Sequence, residues 1–277
     1  MQGRTFFYAY LWGMYTLKKS LGQHFLRDEN ICRKIVDALQ EHPFSRLLEV
    51  GPGGGALTKY LIELPDVDFK AVELDEEKVT YLMQTYPVLK DRIVHRSFLD
   101  IAPPFNEEFT VVGNFPYNIS TQILFKILQW QELVPVTIGM FQKEVAQRVA
   151  APEGSKVYGV ISVLVQAFYE VEYLFDVSQQ SFTPPPKVMS GVIRLKRAPG
   201  KYQFTSKGDL FHLVKTAFNQ RRKTLRNAVK GLFEPDVLAD DFFNKRAEQL
   251  SVADFAALTY KMKKGQPRPV TPENDLT

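Results

Sequence analysis

The chain has 277 residues, a formal net charge of +4, 45% hydrophobic and 24% charged residues, one cysteine and four histidines. A chain of this size can bury the core of one or two domains. A single cysteine cannot form an internal disulfide, the scattered histidines have no metal-ligand spacing, and no apolar run approaches the roughly 18 residues of a membrane span. We therefore expect a cytoplasmic globular protein without a metal centre or a membrane segment.

The first 16 residues, MQGRTFFYAYLWGMYT, are rich in aromatic side chains. An arginine before an apolar stretch faintly resembles a signal peptide, but the stretch is short and no small-residue cleavage site follows it. We interpret residues 1–16 as a disordered or mis-annotated extension, with Met14 as a candidate start of the natural chain.

Short apolar or β-branched runs then alternate with helical patterns such as DEEKVTYLMQTY and STQILFKILQW. The predicted strands are residues 46–50, 69–74, 92–98, 109–114 and 134–141. This alternation predicts an α/β fold, in which helices cover both faces of a parallel sheet. Residues 160–175 and 190–196 add further strands or a helix–strand pair, separated by the rigid triple proline at 184–186.

The composition of the chain changes near residues 198–208, where APGKYQFTSKGD is typical of a linker. Beyond it, apolar residues at a 3.6-residue period predict a helix over 209–230. Two further helical stretches follow, at 235–250 and 251–264, and Ser251 with its acidic partner three residues later is typical of a helix N-terminus.

These patterns divide the chain into two domains. Residues 17–200 are predicted to form the α/β domain, and residues 201–265 a small all-α domain. Residues 266–277 are polar and proline-rich, so we expect a disordered tail there.

A glycine-rich turn connects the first predicted strand to a helical pattern in LLEVGPGGGALT. Residues 51–56 satisfy the spacing G-x-G-x-x-G/A, in which glycines such as Gly51 and Gly53 let the backbone approach a ligand and a helix N-terminus offers donors. Several cofactors use this arrangement, so the loop alone leaves a nicotinamide dinucleotide and S-adenosylmethionine both open.

Three acidic residues at successive strand ends favour S-adenosylmethionine. Glu49 lies just before the turn, where it would accept from the cationic amino group of the methionine moiety and would repel a pyrophosphate. Glu73 comes about 20 residues later and suits ribose hydroxyls. Asp100 would accept from the adenine amine. Each of the three also fits a solvated strand end or a helix cap.

The strand at 109–114 ends in the tetrapeptide Asn-Phe-Pro-Tyr. A plain strand-to-loop turn explains these residues, and so does methylation of an adenine amine, whose lone pair is delocalised into the ring. The Asn114 side-chain oxygen and the Phe115 carbonyl would hold the two amine hydrogens, and Pro116 would restrict Phe115 to extended geometry. Tyr117 would stack on the extruded base. Catalysis would then rest on alignment and electrostatics.

The sequence resembles the KsgA-type ribosomal RNA adenine N6,N6-dimethyltransferases over roughly residues 17–260. The shared segments, in order and spacing, are KKSLGQHFLRDENI, EVGPGGGALT, VELD, GNFPYNIST, FQKEVAQRV, GSKVYGVISVLVQ, SFTPPPKVMSGVIRL and FNQRRKTLRN. The resemblance implies a class I S-adenosylmethionine-dependent methyltransferase with a Rossmann-like seven-stranded sheet and a small all-α C-terminal domain. It also implies two adjacent adenosines in a hairpin loop near the 3′ end of small-subunit (16S) rRNA as substrate, each methylated twice.

The resemblance also implies which residues contact the cofactor S-adenosyl-L-methionine. These residues are His24, Leu26, Gly51, Glu73, Asp100 and Asn114. Two positions depart from the common family pattern: His24 replaces an asparagine, and Phe115 replaces a leucine. Because the proposed contact of Phe115 uses its backbone carbonyl, we expect it to serve while its ring narrows the pocket rim.

Basic residues lie on the predicted helix 209–230, mostly opposite its apolar stripe. No acidic residue interrupts positions 210–233, so the positive field is uncompensated and favours contact with RNA phosphates over a merely solvated face. The residues that we assign to RNA binding are Arg221, Arg222, Lys223 and Arg226.

Several functions compete at this point. The leading hypothesis is an rRNA dimethyltransferase that acts as a monomer on small-subunit rRNA within an assembling subunit. The alternatives are a non-catalytic ribosome assembly or RNA-binding factor, a nicotinamide-dependent oxidoreductase, and a methyltransferase acting on large-subunit rRNA or on DNA. Whether free rRNA or a particle is the substrate, and the order of the methyl transfers, stay open.

Overall fold

A computed structural model of the chain describes residues 24–263. The strands are β1 (Phe25–Leu26), β2 (Arg46–Val50), β3 (Asp68–Glu73), β4 (Ile93–His95), β5 (Thr110–Asn114), β6 (Val136–Gln142), β7 (Tyr169–Val177), β8 (Phe182–Thr183) and β9 (Ser190–Arg197). Seven of them form one sheet in the order β4-β3-β2-β5-β6-β9-β7. The predicted α/β architecture with a seven-stranded sheet is confirmed.

The sheet is mixed, whereas the sequence predicted a parallel one. Neighbours from β4 to β6 are parallel, but β9 runs antiparallel to both β6 and β7. Parallel neighbours need a long crossover, usually a helix. The connection 178–189 between β7 and β9 contains no α-helix, so β9 returns beside β7 in the opposite direction.

Six helices accompany this sheet. They are α1 (Glu29–Gln40), α2 (Thr58–Leu61), α3 (Glu76–Thr85), α4 (Ser120–Gln129), α5 (Lys143–Val149) and α6 (Val160–Gln166). Residues 160–175 contain the helix α6 and most of the strand β7, and β9 covers the predicted segment 190–196, so the two segments form a helix and two strands. The helix expected directly after the glycines is only four residues long. It cannot begin earlier than Gly55, because Gly53 and Gly55 have positive φ angles that no α-helix accommodates.

The C-terminal part consists of α7 (Lys207–Asn219), α8 (Leu225–Ala228), α9 (Pro235–Leu238) and α10 (Val252–Thr259). The single helix predicted over 209–230 is wrong, since the chain leaves the helix at Gln220 and re-enters it after Thr224. The intervening residues include three consecutive cations, Arg221, Arg222 and Lys223. The N-terminal cap of α10 is as predicted: Ser251 Oγ accepts from the Asp254 N–H.

Two hydrophobic clusters cover the two faces of the sheet. Consecutive residues of β5 alternate between them: Val111 belongs to one cluster and Val112 to the other. The first cluster continues into the C-terminal helices through Leu213 and Phe255. The α/β part and the helical part thus share one core, and the division at residue 200 stays a prediction.

A small second sheet positions the start of the described chain. Strand β1 pairs antiparallel with β8, so that Phe25 lies opposite Thr183. The Arg27 N–H donates to the Ser181 carbonyl at 2.9 Å and extends this attachment. The pairing holds His24 and its neighbours over the edge of the large sheet.

The predicted extension 1–16 and tail 266–277 lie outside the described residues. Between residues 24 and 263, no helix is both long and apolar enough to cross a membrane. Within the same range, no group of three or more His, Cys, Asp or Glu side chains could hold a metal ion.

Candidate active site

A cavity of about 220 Å³ opens at the carboxyl ends of β2, β3 and β5. This edge of an open α/β sheet is where ligands bind in such folds. Ten of the eleven residues predicted for cofactor binding and catalysis line it: His24, Leu26, Glu49, Gly51, Gly53, Glu73, Asn114, Phe115, Pro116 and Tyr117. The structure therefore brings together residues that are up to 93 positions apart in the chain, from His24 to Tyr117.

The glycine loop forms the floor of the cavity through its backbone. Gly51 and Gly53 have φ angles of +69° and +56°, which disfavour side-chain-bearing residues. A Cβ on Gly54 would stand 3.4 Å from the Phe25 ring, so this ring packs directly on the loop. A ligand in the cavity would meet bare backbone on one side and the segment of Phe25 on the other.

Glu73 closes the loop from the end of β3. One carboxylate oxygen accepts from the Gly53 N–H at 3.1 Å, and the other accepts from the N–H groups of Leu74 and Asp75. The side chain is buried, and its charge is matched by three backbone donors rather than by a cation. This fixed carboxylate borders the cavity at the position predicted for ribose hydroxyls.

Glu49 is a buried residue of the cavity wall, with 2% of its surface exposed. Its carboxylate accepts from Thr58 Oγ1 at 2.7 Å. Burial raises the pKa of Glu49 from 4.5 to about 8; the Thr58 hydrogen bond opposes this rise and the Glu73 charge adds to it. A buried acid with so high a pKa is costly to ionise in isolation, and a cationic group of a ligand would supply the missing counter-charge.

The side-chain amide of Asn114 is oriented by the N-terminal segment. Its Nδ2 donates to the His24 carbonyl at 3.2 Å, which leaves Oδ1 as the acceptor facing away from that contact. His24 is itself held, because its Nδ1 lies 2.9 Å from the Pro184 carbonyl. Since a carbonyl only accepts, Nδ1 carries the proton in this contact. His24 thus acts on the site through its backbone, and its side chain is tied to another segment.

The Phe115 ring does not narrow the cavity rim, contrary to expectation. It is 1% exposed and packs 5.0 Å from the Phe141 ring. It fills the space above two glycines of paired strands, Gly113 and Gly139, where an added Cβ would stand 2.8 Å and 2.4 Å from it. The side chain therefore anchors the corner in the core, and only its backbone borders the cavity.

Tyr117 follows Pro116 in a short 3-10 turn and stands at the cavity wall. Its Oη lies 2.5 Å from Ser190 Oγ, and its ring centroid is 5.6 Å from the His24 ring at an interplanar angle of 32°. Burial raises the pKa of the Tyr117 hydroxyl, so it stays protonated at neutral pH. The contacts with Ser190 and with His24 therefore fix the orientation of the Tyr117 ring and of its aromatic face.

Asp100 is the predicted cofactor residue that the structure places elsewhere. It is exposed and does not line the cavity. Strand β4 already ends at His95, and Ser97 then caps a 3-10 turn by accepting from the Leu99 N–H at 3.2 Å. This turn carries Asp100 past the cavity and leaves Ser97 and Leu99 on its wall.

Sequence reasoning also missed Lys78, which lines the cavity from α3 with only 4% of its surface exposed. Its Nζ stands 5.0 Å from the centroid of the Phe25 ring and 4.0 Å from Asp75 Oδ2. A lysine one turn into an acidic helix start resembles an ordinary surface residue. The Phe25 ring, which the small second sheet brings to this place, is one of the groups that cover it.

The four basic residues predicted to bind RNA differ in whether their side chains have hydrogen-bond acceptors within the described part of the chain. Arg221 donates to the carbonyls of Lys156 and Tyr158, at 2.9 and 3.0 Å. Arg226 donates to the Leu238 and Asp240 carbonyls. Both guanidinium groups thus have intramolecular acceptors.

Arg222 and Lys223 are exposed, as Arg221 is, but within residues 24–263 their side chains make no hydrogen bonds like those of Arg221. Both residues lie in the turn between α7 and α8, not on either helix. The predicted RNA contact of the segment therefore rests more on these two cations than on the two anchored arginines.

Comparisons with known proteins indicate the family of the chain. A family model described as ribosomal RNA adenine dimethylase matches residues 14–263. A relative from Cytophaga hutchinsonii, named ribosomal RNA small subunit methyltransferase A, is 51% identical over 246 residues, covering 87% of this chain and 95% of the relative. A relative of the same name from Flavobacterium johnsoniae is 50% identical over 249 residues, covering 88% and 95%.

Solved structures give the same picture of the fold. A dimethyladenosine transferase from Plasmodium falciparum is similar with a TM-score of 0.73 at 25% identity, covering 84% of this chain and 94% of that one. The 23S rRNA methyltransferase ErmE is similar in fold, with a TM-score of 0.66 at 22% identity and coverage of 85% and 99%.

The fold and the cavity define a class I S-adenosylmethionine-dependent methyltransferase. The residues fit this cofactor: Glu49 is a buried acid in need of a cation, and Glu73 presents a fixed carboxylate beside a bare glycine backbone. The chain belongs to the ribosomal RNA adenine dimethylase family. This membership decides against the nicotinamide-dependent oxidoreductase that the glycine spacing left open.

Proposed function

We propose that this enzyme dimethylates the exocyclic N6 amines of two adjacent adenosines in the 3′-terminal hairpin loop of small-subunit rRNA. The names of the half-identical relatives support the rRNA of the small subunit as substrate, and the similar transferase from Plasmodium falciparum supports dimethyladenosine as product. The observation that carries the proposal is the fixed Asn114 amide, whose Nδ2 is engaged by His24 so that its oxygen is left for a substrate amine.

The catalytic corner would act by alignment. The cofactor supplies an electrophilic methyl group on a sulfonium centre. The Asn114 oxygen and the Phe115 carbonyl would each accept one hydrogen of the adenine amine, which draws its lone pair out of the ring plane. Pro116, with φ −56° and ψ 130°, holds the chain extended after this carbonyl. The amine becomes acidic only on methyl transfer, so its proton can leave to water without a strong base.

The target adenosine must leave its stacked position to reach the corner. The Tyr117 ring would receive the extruded base, as aromatic side chains do in enzymes that flip nucleotides. Its pKa, raised by burial, keeps the hydroxyl neutral and the ring face free of a negative charge. In this role Tyr117 contributes geometry rather than proton transfer.

The cofactor contacts are proposed for the residues that share the cavity. Glu49 would face the amino group of the methionine moiety, and Glu73 the ribose hydroxyls. Leu26, Gly51 and Gly53 would supply packing and close backbone approach. Ser97 would take the role that the sequence assigned to Asp100, the contact with adenine, because Ser97 lines the cavity and Asp100 does not.

Contact with RNA would extend from the cavity to the basic turn of the helical part, residues 201–265. The exposed cations Arg222 and Lys223 suit phosphate contacts. Arg221 and Arg226 would shape this surface by holding carbonyls of neighbouring segments. We place the activity in the cytoplasm, on an assembling small subunit, with the enzyme acting as a monomer.

The decisive experiment is mass spectrometry of small-subunit rRNA from a strain that lacks the gene, complemented with the wild-type chain or with Asn114→Ala. We expect dimethyladenosine to be missing in the deletion and restored only by the wild-type chain. Restoration by Asn114→Ala with normal protein levels would support the non-catalytic assembly factor. Parallel assays on naked rRNA and on immature small subunits would identify the substrate form.

A further inference from the structure

Ser190 is a buried hydroxyl at the edge of the active site that no cofactor or substrate contact explains. It is the first residue of β9 and has 0% of its surface exposed. Its Cα is held on both sides, since it pairs with Gln142 of β6 and with Val177 of β7. Its Oγ lies 2.5 Å from Tyr117 Oη, within the range of a short hydroxyl–hydroxyl bond.

Tyr117 needs such a support because its own backbone is not part of the sheet. It begins a one-turn 3-10 helix directly after Pro116, and a turn this short fixes a long side chain poorly. The ring touches His24 on one side, which limits its tilt. The bond from the hydroxyl to a strand residue fixes the other end of the ring.

We propose that Ser190 is a positioning residue, which holds the Tyr117 ring in the orientation that receives the target adenine. This inference rests on the proposed function. Without Ser190 Oγ, the half-buried hydroxyl of Tyr117 has lost its partner, and hydration is recovered by rotation of the ring toward solvent. The stacked base then shifts relative to the Asn114 oxygen, and the alignment on which methyl transfer depends is lost.

The test compares Ser190→Ala, Tyr117→Phe and the double variant with the wild-type enzyme on immature small subunits. Loss of a hydrogen bond of this kind corresponds to a decrease in kcat of roughly 5- to 20-fold. We expect Ser190→Ala and Tyr117→Phe to decrease kcat to a similar extent, and the double variant to be no slower than either. Cofactor affinity, measured by calorimetry, should stay within about twofold of wild type because neither hydroxyl is among the groups that we assign to cofactor binding.

Ser162→Ala is the matched control. Ser162 is also 0% exposed, and its Oγ donates to the Arg148 carbonyl at the same 2.5 Å, but it lies in α6 and does not line the cavity. This variant should lower the melting temperature and leave kcat unchanged.

A second readout is an RNA hairpin with 2-aminopurine at the target position, whose fluorescence in the complex should increase in Ser190→Ala because the base stacks less on Tyr117.

The outcomes separate this inference from the proposed function. A wild-type enzyme that transfers no methyl group to small-subunit RNA would overturn the proposed function. An active wild-type enzyme with unchanged kcat and fluorescence in Ser190→Ala would overturn the positioning role alone. If Ser190→Ala does not fold, Tyr117→Phe still decides, since full activity without the phenol hydroxyl is incompatible with the inference. An additive loss in the double variant also contradicts it.

Discussion

Replacement of Glu49 by glutamine should stabilise the cofactor-free enzyme and weaken its binding of S-adenosylmethionine. The pKa of Glu49 is raised from 4.5 to about 8 by burial. Between these values the folded state binds a proton that the unfolded state has released, so the free energy of unfolding decreases as the pH rises. At about pH 7 this effect has lowered the free energy of unfolding by about 3 kcal/mol, at 1.36 kcal/mol per pKa unit.

Glutamine keeps the shape of the side chain and an oxygen for the Thr58 hydroxyl, but it does not titrate. We therefore expect Glu49→Gln to be more stable than wild type by up to about 3 kcal/mol near neutral pH, with a difference that vanishes toward about pH 4 and widens up to about pH 8. Urea unfolding of both proteins across this range measures the difference. A constant difference, or a less stable variant, would refute the assigned burial cost.

Cofactor binding should change in the opposite direction. Loss of a charge-assisted hydrogen bond to the amino group corresponds to a decrease in affinity of roughly 10- to 100-fold. Calorimetry with S-adenosylmethionine measures it. Glu41→Gln is the control: the pKa of Glu41 is lowered, mainly by the hydrogen bond from Arg194, so its replacement should neither stabilise the fold nor affect the cofactor. Unchanged affinity in Glu49→Gln would remove Glu49 from the binding site.

Three other predictions concern cofactor, RNA and fold. Ser97→Ala should weaken S-adenosylmethionine binding by up to about tenfold while Asp100→Ala has no effect in the same calorimetric assay; the reverse result would return Asp100 to the site. Replacement of Arg222 and Lys223 together by alanine should lower the slope of RNA affinity against salt by about 2, with normal cofactor affinity, and an unchanged slope would contradict phosphate contact. Gly113→Ala should destabilise the fold by about 1–3 kcal/mol, because its Cβ would stand 2.5 Å from a carbonyl of the neighbouring strand; a wild-type urea midpoint would argue against this packing.

The sequence predicted those parts of the molecule whose signals are local. Strand β2 was found to the residue, and the acids Glu49 and Glu73 could be placed because parallel strands end at the same edge of a sheet. The same rule failed for Asp100, since the chain turns after His95 and the residue spacing does not reveal where a short strand stops. Strand β9 is antiparallel to β7 because the connection between them contains no α-helix. The apolar pattern of the sequence does not show whether such a helix is present.

Several individual side-chain contacts between distant segments were not predicted. Nothing in the sequence near Lys78 indicates that Phe25 will cover it, or that the Phe115 ring will rest on two glycines of different strands. The basic residues after α7 could be recognised by charge, but not divided into anchored and exposed ones. That division depends on carbonyl groups in segments as far away as Lys156.

The pairing of β1 with β8 has a consequence for the order in which the enzyme matures during synthesis. The glycine loop, both buried acids and the catalytic corner leave the translating ribosome long before residues 182–190. Until that stretch emerges, the strand that holds His24 has no partner, and Tyr117 lacks its hydroxyl neighbour. A nascent chain can therefore complete its binding site for cofactor and base only after about two-thirds of it has been translated. The site then combines segments from both ends of the α/β part.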